Sequence, residues 1–178
     1  MRKNRLWMLV GVSVAVLATI LVAQPNKPAS PPGEAALKFA DGKTVSIQYS
    51  RPSMRGRKIF GGLVPYDQVW RTGANAATSL KTDVPLTIGG ASVPAGSYTL
   101  YTLPGANSWK LIVNKQTGQW GTEYSQGQDL ARVDMKVTQQ TSPLEQFTIS
   151  LDKTDGDSAM LKLEWDTTVA SVEVQEKK

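Results

Sequence analysis

The chain has 178 residues, 40% of them hydrophobic and 20% charged, the proportions of a folded domain with length left for a tail or anchor. Its formal charge of +5 includes Arg2, Lys3 and Arg5, ahead of an apolar run; without those three, 17 basic residues face 15 acidic ones and +2 remains, too weak a footprint for a nucleic-acid binder. It has no Cys and no His, which excludes disulfides, thiolate chemistry, a Ser-His-Asp triad and His- or Cys-ligated zinc.

The N-terminus reads as an address. "MRKNR" precedes an uncharged stretch from Leu6 to Ala23, longer than the usual secretory core of about 7–15 residues and at the lower end for a spanning helix. Residues 1–23 are therefore expected to be a signal peptide cut near Ala23 or a retained hydrophobic anchor helix. The basic flank puts that end in the cytoplasm and the rest outside. The expected location is periplasmic or extracellular, with membrane contact only if the segment stays uncleaved. Prolines at 25, 28, 31 and 32 make residues 24–34 an extended linker. Residues 35–178 are expected to form the domain.

From Ala36 the hydrophobic period is two. "TVSIQY" alternates Val45, Ile47 and Tyr49 with polar residues. After residues 50–78, which have no steady period, Ile88-Gly89-Gly90-Ala91 reads as a tight hairpin and Pro94-Ala95-Gly96 as a turn. "SYTLYTL" and "SWKLIVNK" follow as strands joined by "PGAN". "DLARVDMKV", "FTISLD", "AMLKLEW" and "TVASVEV" read as four more, with Asp155-Gly156 as a hairpin turn. No long amphipathic helix is present; one helical turn near Tyr66–Val69 is the most expected. Many short alternating strands predict an all-β fold, an antiparallel β-sandwich or jelly-roll-like single domain.

The aperiodic stretch carries the candidate site. "SRPSMRGRKIFGGLVPYDQVWRTGANAAT" holds four arginines, a lysine, a Tyr, a Trp and four glycines. Together with "VPAGSYTLYTLPG" and "LIVNKQTGQWG", it resembles the bacterial family called domain of unknown function 2911, over about residues 36–175. The resemblance implies a compact β-sandwich, usually behind an export signal, and no particular reaction.

The residues themselves point to binding. Arginine offers a planar fork of donors for carboxylate or phosphate, and Tyr and Trp faces stack on rings or guanidinium groups. Arg51, Arg55, Arg57, Tyr66, Trp70, Arg71 and Asn75 are the candidate ligand-binding residues, Arg71 foremost, for a small anionic or sugar ligand or an envelope protein. The competing reading has the arginines pinning a long loop through Asp67 or backbone carbonyls, with Tyr66 and Trp70 plugging the core. Asp67, Asn114, Lys115 and Trp120 are secondary candidates; the last three fall in a loop that reads as a turn anchored by Trp120. "DKTDGD" groups Asp152, Asp155 and Asp157 but lacks the full calcium-loop pattern. No cofactor and no metal are expected. A non-catalytic binding module is favoured; the alternatives are a cofactor-independent envelope hydrolase using Asp67, Arg71 and Tyr66, and a purely structural or interaction module.

Overall fold

The computed structural model describes residues 29–178; the apolar run and residues 24–28 of the expected linker lie outside them. The described chain is all-β and antiparallel, as the alternation predicts. In chain order the strands are β1 (Pro32–Lys38), β2 (Thr44–Ser50), β3 (Thr78–Thr82), β4 (Leu86–Ile88), β5 (Ala91–Val93), β6 (Gly96–Pro104), β7 (Trp109–Asn114), β8 (Asp129–Lys153) and β9 (Ser158–Glu176). They are hydrogen-bonded in the single order β1-β2-β3-β6-β7-β8-β9-β4-β5, rather than divided between two separately bonded sheets. β1 begins at Pro32, inside the segment whose composition reads as linker; a proline is tolerated there because it opens an edge strand.

Turn chemistry is as read. Gly89 and Gly90 take φ of 53° and 87° between β4 and β5, and Gly156 takes 48° between β8 and β9, values that the absence of a Cβ makes accessible. Two expectations change. The four last segments are two long strands, because β8 runs on through "TQQTSPLEQ" with register shifts after Gln139 and Leu144. A polar stretch with a proline reads as a break, but hydrogen bonds to β9 carry the strand through it. The one helical turn among the described residues is Gln126–Gln128, not Tyr66–Val69, where Asp67 takes φ 59° and leaves the right-handed region.

One hydrophobic core gathers inward residues of β1, β2, β3 and β6 with those of β8 and β9. The sheet turns back on itself, since the Tyr49 hydroxyl of β2 accepts the Ile149 N–H of β8 at 2.8 Å. β6 and β7 are buried on both faces: Tyr101 and Ile112 are fully buried, on the side away from Leu100 and Leu111. The loop after β7 covers that side, with Tyr124 against Tyr101 at 5.0 Å and the Tyr101 hydroxyl donating to the Glu123 carbonyl.

Residues 51–77 arch between β2 and β3 and complete the sheet where regular strands stop. Beyond Leu100, β6 has lost its partner β3, and the arch takes the free edge: Trp70 and Thr102 exchange backbone hydrogen bonds at 2.8 and 2.9 Å, and the Asp67 N–H reaches the Pro104 carbonyl at 2.8 Å. Beyond its pairing with β7, β8 is met by residues 52–54. The Phe147 N–H donates to Pro52 at 2.9 Å and the Met54 N–H to Glu145 at 2.8 Å. Unmet backbone groups at a buried edge cost as much as lost hydrogen bonds, so the arch is part of the fold.

Candidate functional site

The arch is built on aromatics. Trp70 lies 5.9 Å from Trp165 in a stacked pair and 5.0 Å from Phe147, edge to face; Phe60 is 4.7 Å from Trp109. Such pairs add about 0.5–1.5 kcal/mol each beyond the area they bury. Trp70 thus plugs the core end. Tyr66 does not: it is 39% exposed, with its ring laid over Gly61, where a Cβ would come within 2.6 Å of it.

Above this floor lies a cleft of about 290 Å³, walled by Ser30, Pro52, Arg57, Leu63, Val64, Trp70, Arg71, Gly73, Ala74, Asn75 and Trp165. It brings together Arg57, Trp70, Arg71 and Asn75 of the sequence candidates and leaves Arg51, Arg55 and Tyr66 outside. Two of the arginines are pins. Arg51 crosses Gly33 and donates to the Phe147 carbonyl at 3.2 Å and the Thr148 hydroxyl at 2.9 Å. Arg57, in the cleft wall, donates to the Met54 and Ser53 carbonyls at 2.9 and 2.7 Å. Among the described residues the Arg55 guanidinium reaches only the Ala29 carbonyl, at 3.4 Å. The four ion pairs among the described residues join Lys110–Asp134, Arg132–Asp129, Lys162–Asp152 and Lys178–Asp157. Asp67 is not among them, so of the two pins expected from the sequence, Asp67 or backbone carbonyls, it is the carbonyls that serve.

Arg71 differs from the other arginines. Its side chain is partly buried, and among the described residues its buried Nε has no hydrogen-bond partner and its guanidinium no ion pair. A buried donor left unmet costs about 1–3 kcal/mol. Two residues hold it in this position. Thr72, fully buried, takes φ 54°, a sterically costly value for a β-branched residue. Its hydroxyl meets the Thr102 hydroxyl at 3.2 Å, and its carbonyl accepts the Thr78 hydroxyl at 2.7 Å. Gly121 gives the arginine stem its room: a Cβ there would fall on Arg71 Cδ and lie 2.7 Å from the Asn75 carbonyl. Asn75 itself sits at φ 60°, its carbonyl accepting the Gly121 N–H at 3.1 Å.

The sequence reading passed over Thr72 and Gly121. Gly121 closes the motif "NKQTGQWG", whose other members turn out differently from expectation. Trp120 is 54% exposed and anchors nothing; its backbone bridges to Ala76. Asn114 is fully buried and structural, donating to Ser125 and Asp129 at 2.9 and 2.8 Å and accepting the Gln116 N–H at 2.9 Å. Lys115 is exposed, its N–H held by Gln128 at 2.8 Å. Nearby, burial and then the Asp129 carboxylate to which it donates push the Tyr124 phenol above its ordinary value. The same carboxylate, bonded to the Arg132 guanidinium, raises Arg132. Asp67 is exposed, stands against Gly105 and does not line the cleft. Asp152 and Asp157 are taken up by lysines.

The described domain matches the family described as Protein of unknown function (DUF2911), over residues 30–174, and the chain belongs to that family. No curated protein and no solved structure matches it.

Proposed function

Taking that membership as the premise, we propose that the protein is an exported binding domain whose cleft takes a small anionic ligand, a carboxylate or phosphate, free or carried on a sugar. The observation that carries this reading is Arg71, a partly buried guanidinium with an unmet Nε in a cleft whose walls hold a second arginine, an amide and no acid. A planar fork of this kind matches two oxygens of one anion, and partial desolvation strengthens the pairing. Strained Thr72 and the space at Gly121 set the side chain in advance, which lowers the ordering cost of binding. The hydrolase reading loses its constellation, since Tyr66 and Asp67 stand outside the cleft that Arg71 lines. Export is supported by the basic residues and uncharged run at positions 2–23.

The test is thermal unfolding against a panel of dicarboxylates, sugar acids, sugar phosphates and inorganic phosphate, for wild type, Arg71→Ala and Arg71→Lys. A ligand at about 100 times its Kd adds about 2.7 kcal/mol, a rise of about 5–10 °C for a domain of this size. The Ala variant is expected to lose the rise and the Lys variant most of it. A panel in which no anion raises wild type above Arg71→Ala refutes the reading.

A further inference from the structure

The polypeptide enters the domain at the cleft. Ser30 forms part of the cleft wall, and the Ala29 carbonyl meets the Arg55 guanidinium. The uncharged run ends at Ala23, six residues earlier, and six residues fully extended reach about 20 Å at most. A domain held in a bilayer by that run therefore keeps its arch close to the membrane surface.

The arch presents there what a bilayer surface recognises. Arg55, Arg57 and Lys58 are exposed, and none belongs to an ion pair among the described residues. Of the three exposed large hydrophobic residues described, Leu63 at 46% and Tyr66 at 39% come from the adjoining loop. Backbone hydrogen bonds make the two parts one surface, since the Leu63 N–H reaches the Lys58 carbonyl at 3.0 Å and the Gly62 N–H the Ile59 carbonyl at 3.2 Å. The nearby acids leave it net positive: the Glu145 carboxylate, which accepts the Arg55 backbone N–H at 3.0 Å, offsets one of the three charges, and Asp67 stands off against Gly105.

We propose that Arg55, Arg57 and Lys58, with Leu63 and Tyr66, dock the domain onto an anionic phospholipid surface, the one in which residues 6–23 are anchored. Basic side chains are drawn to anionic headgroups, while a tyrosine and a leucine beside them enter the interfacial layer. The proposal rests on export with a retained anchor and not on any ligand in the cleft. Arg57 and Leu63 also belong to the cleft wall, so docking through this tip sets the cleft mouth at the headgroups.

The absence of native cysteine makes the test direct. The full chain carrying Leu63→Cys, or Ala95→Cys at the opposite end of β6 as control, is labelled with an environment-sensitive fluorophore and reconstituted in vesicles. One set is phosphatidylcholine alone; the other holds phosphatidylcholine and phosphatidylglycerol in equal parts, each with brominated chains as quencher. The Leu63 label is expected to be quenched on the anionic vesicles, the Ala95 label to be spared, and high salt to release the effect. Arg55→Gln with Lys58→Gln should weaken docking about 25-fold, on the order of fivefold per residue. Equal quenching at the two positions, or equal quenching on neutral and anionic vesicles, overturns the proposal and leaves the basic tip to a soluble acidic partner. Flotation with the neutral vesicles separates the premises: a chain that fails to float has no anchor, and the proposal falls with it, while the cleft reading stands.

Discussion

Replacing Arg71 with methionine separates a binding residue from a structural pin. A pin in a buried ion pair costs about 3–5 kcal/mol when its partner is stranded. Among the described residues Arg71 has no such partner, and its Nε is buried without a hydrogen bond. Arg71→Ala removes two methylenes along with the guanidinium, the methylenes worth about 0.8 kcal/mol each if fully buried; partial exposure of the side chain lowers the expected loss to about 1 kcal/mol. Arg71→Met keeps most of that stem against Gly121 and deletes the unmet donor, whose burial costs about 1–3 kcal/mol. The Met variant is therefore expected to match wild type or exceed it by about 1 kcal/mol, while losing any stabilisation by anions. Urea unfolding of residues 29–178, followed by tryptophan fluorescence, reads this directly, since the core cluster runs from Ala35 to Val174 and holds Trp109 and Trp165. A Met variant less stable than wild type by about 3 kcal/mol or more would show that Arg71 holds the fold, and would refute the argument from its unmet donor.

Gly121→Ala places a Cβ on the arginine stem and 2.7 Å from the Asn75 carbonyl; chemical unfolding should show a loss of about 1–3 kcal/mol, and calorimetry a loss of anion binding with Arg71 intact. Asn114→Ala strands the Gln116 N–H and removes two donated hydrogen bonds in a fully buried position, so a loss of about 2–4 kcal/mol is expected in the same assay. Hydrogen bonds from the Thr44 hydroxyl and N–H hold the Asp83 carboxyl below its usual range. A lowered folded pKa means that its contribution is complete above the ordinary carboxylate value of about 4 and is lost as pH falls through the lowered one. Thr44→Val should therefore flatten the acid limb of the stability profile in that window and leave the profile near neutrality parallel to wild type.

The all-β class is legible in the sequence because a strand shows its two faces locally, as Val45, Ile47 and Tyr49 do against their polar neighbours. Turns such as Ile88–Ala91 and Asp155-Gly156 are legible for the same reason: the conformation is written in the residues that adopt it. The break between "DLARVDMKV" and "FTISLD" was misleading, because hydrogen bonds from β9, remote in sequence, make one strand of them. Composition likewise marked residues 51–75 as the candidate site, and the place of Arg71 between Trp70 and the Gly73–Asn75 turn set it foremost, but nothing local told which arginines are pins. Only the folded structure sets carbonyls against Arg51 and Arg57 and leaves the Nε of Arg71 without one among the described residues. Thr72 and Gly121 carried no local signal at all. A threonine at positive φ is held there by Thr78 and Thr102, and the glycine is required by the approach of Arg71 from another part of the chain. Periodicity and turn chemistry are short-range properties and so belong to the sequence. Which donor goes unmet depends on residues brought together from distant segments, and that was decided by the tertiary structure.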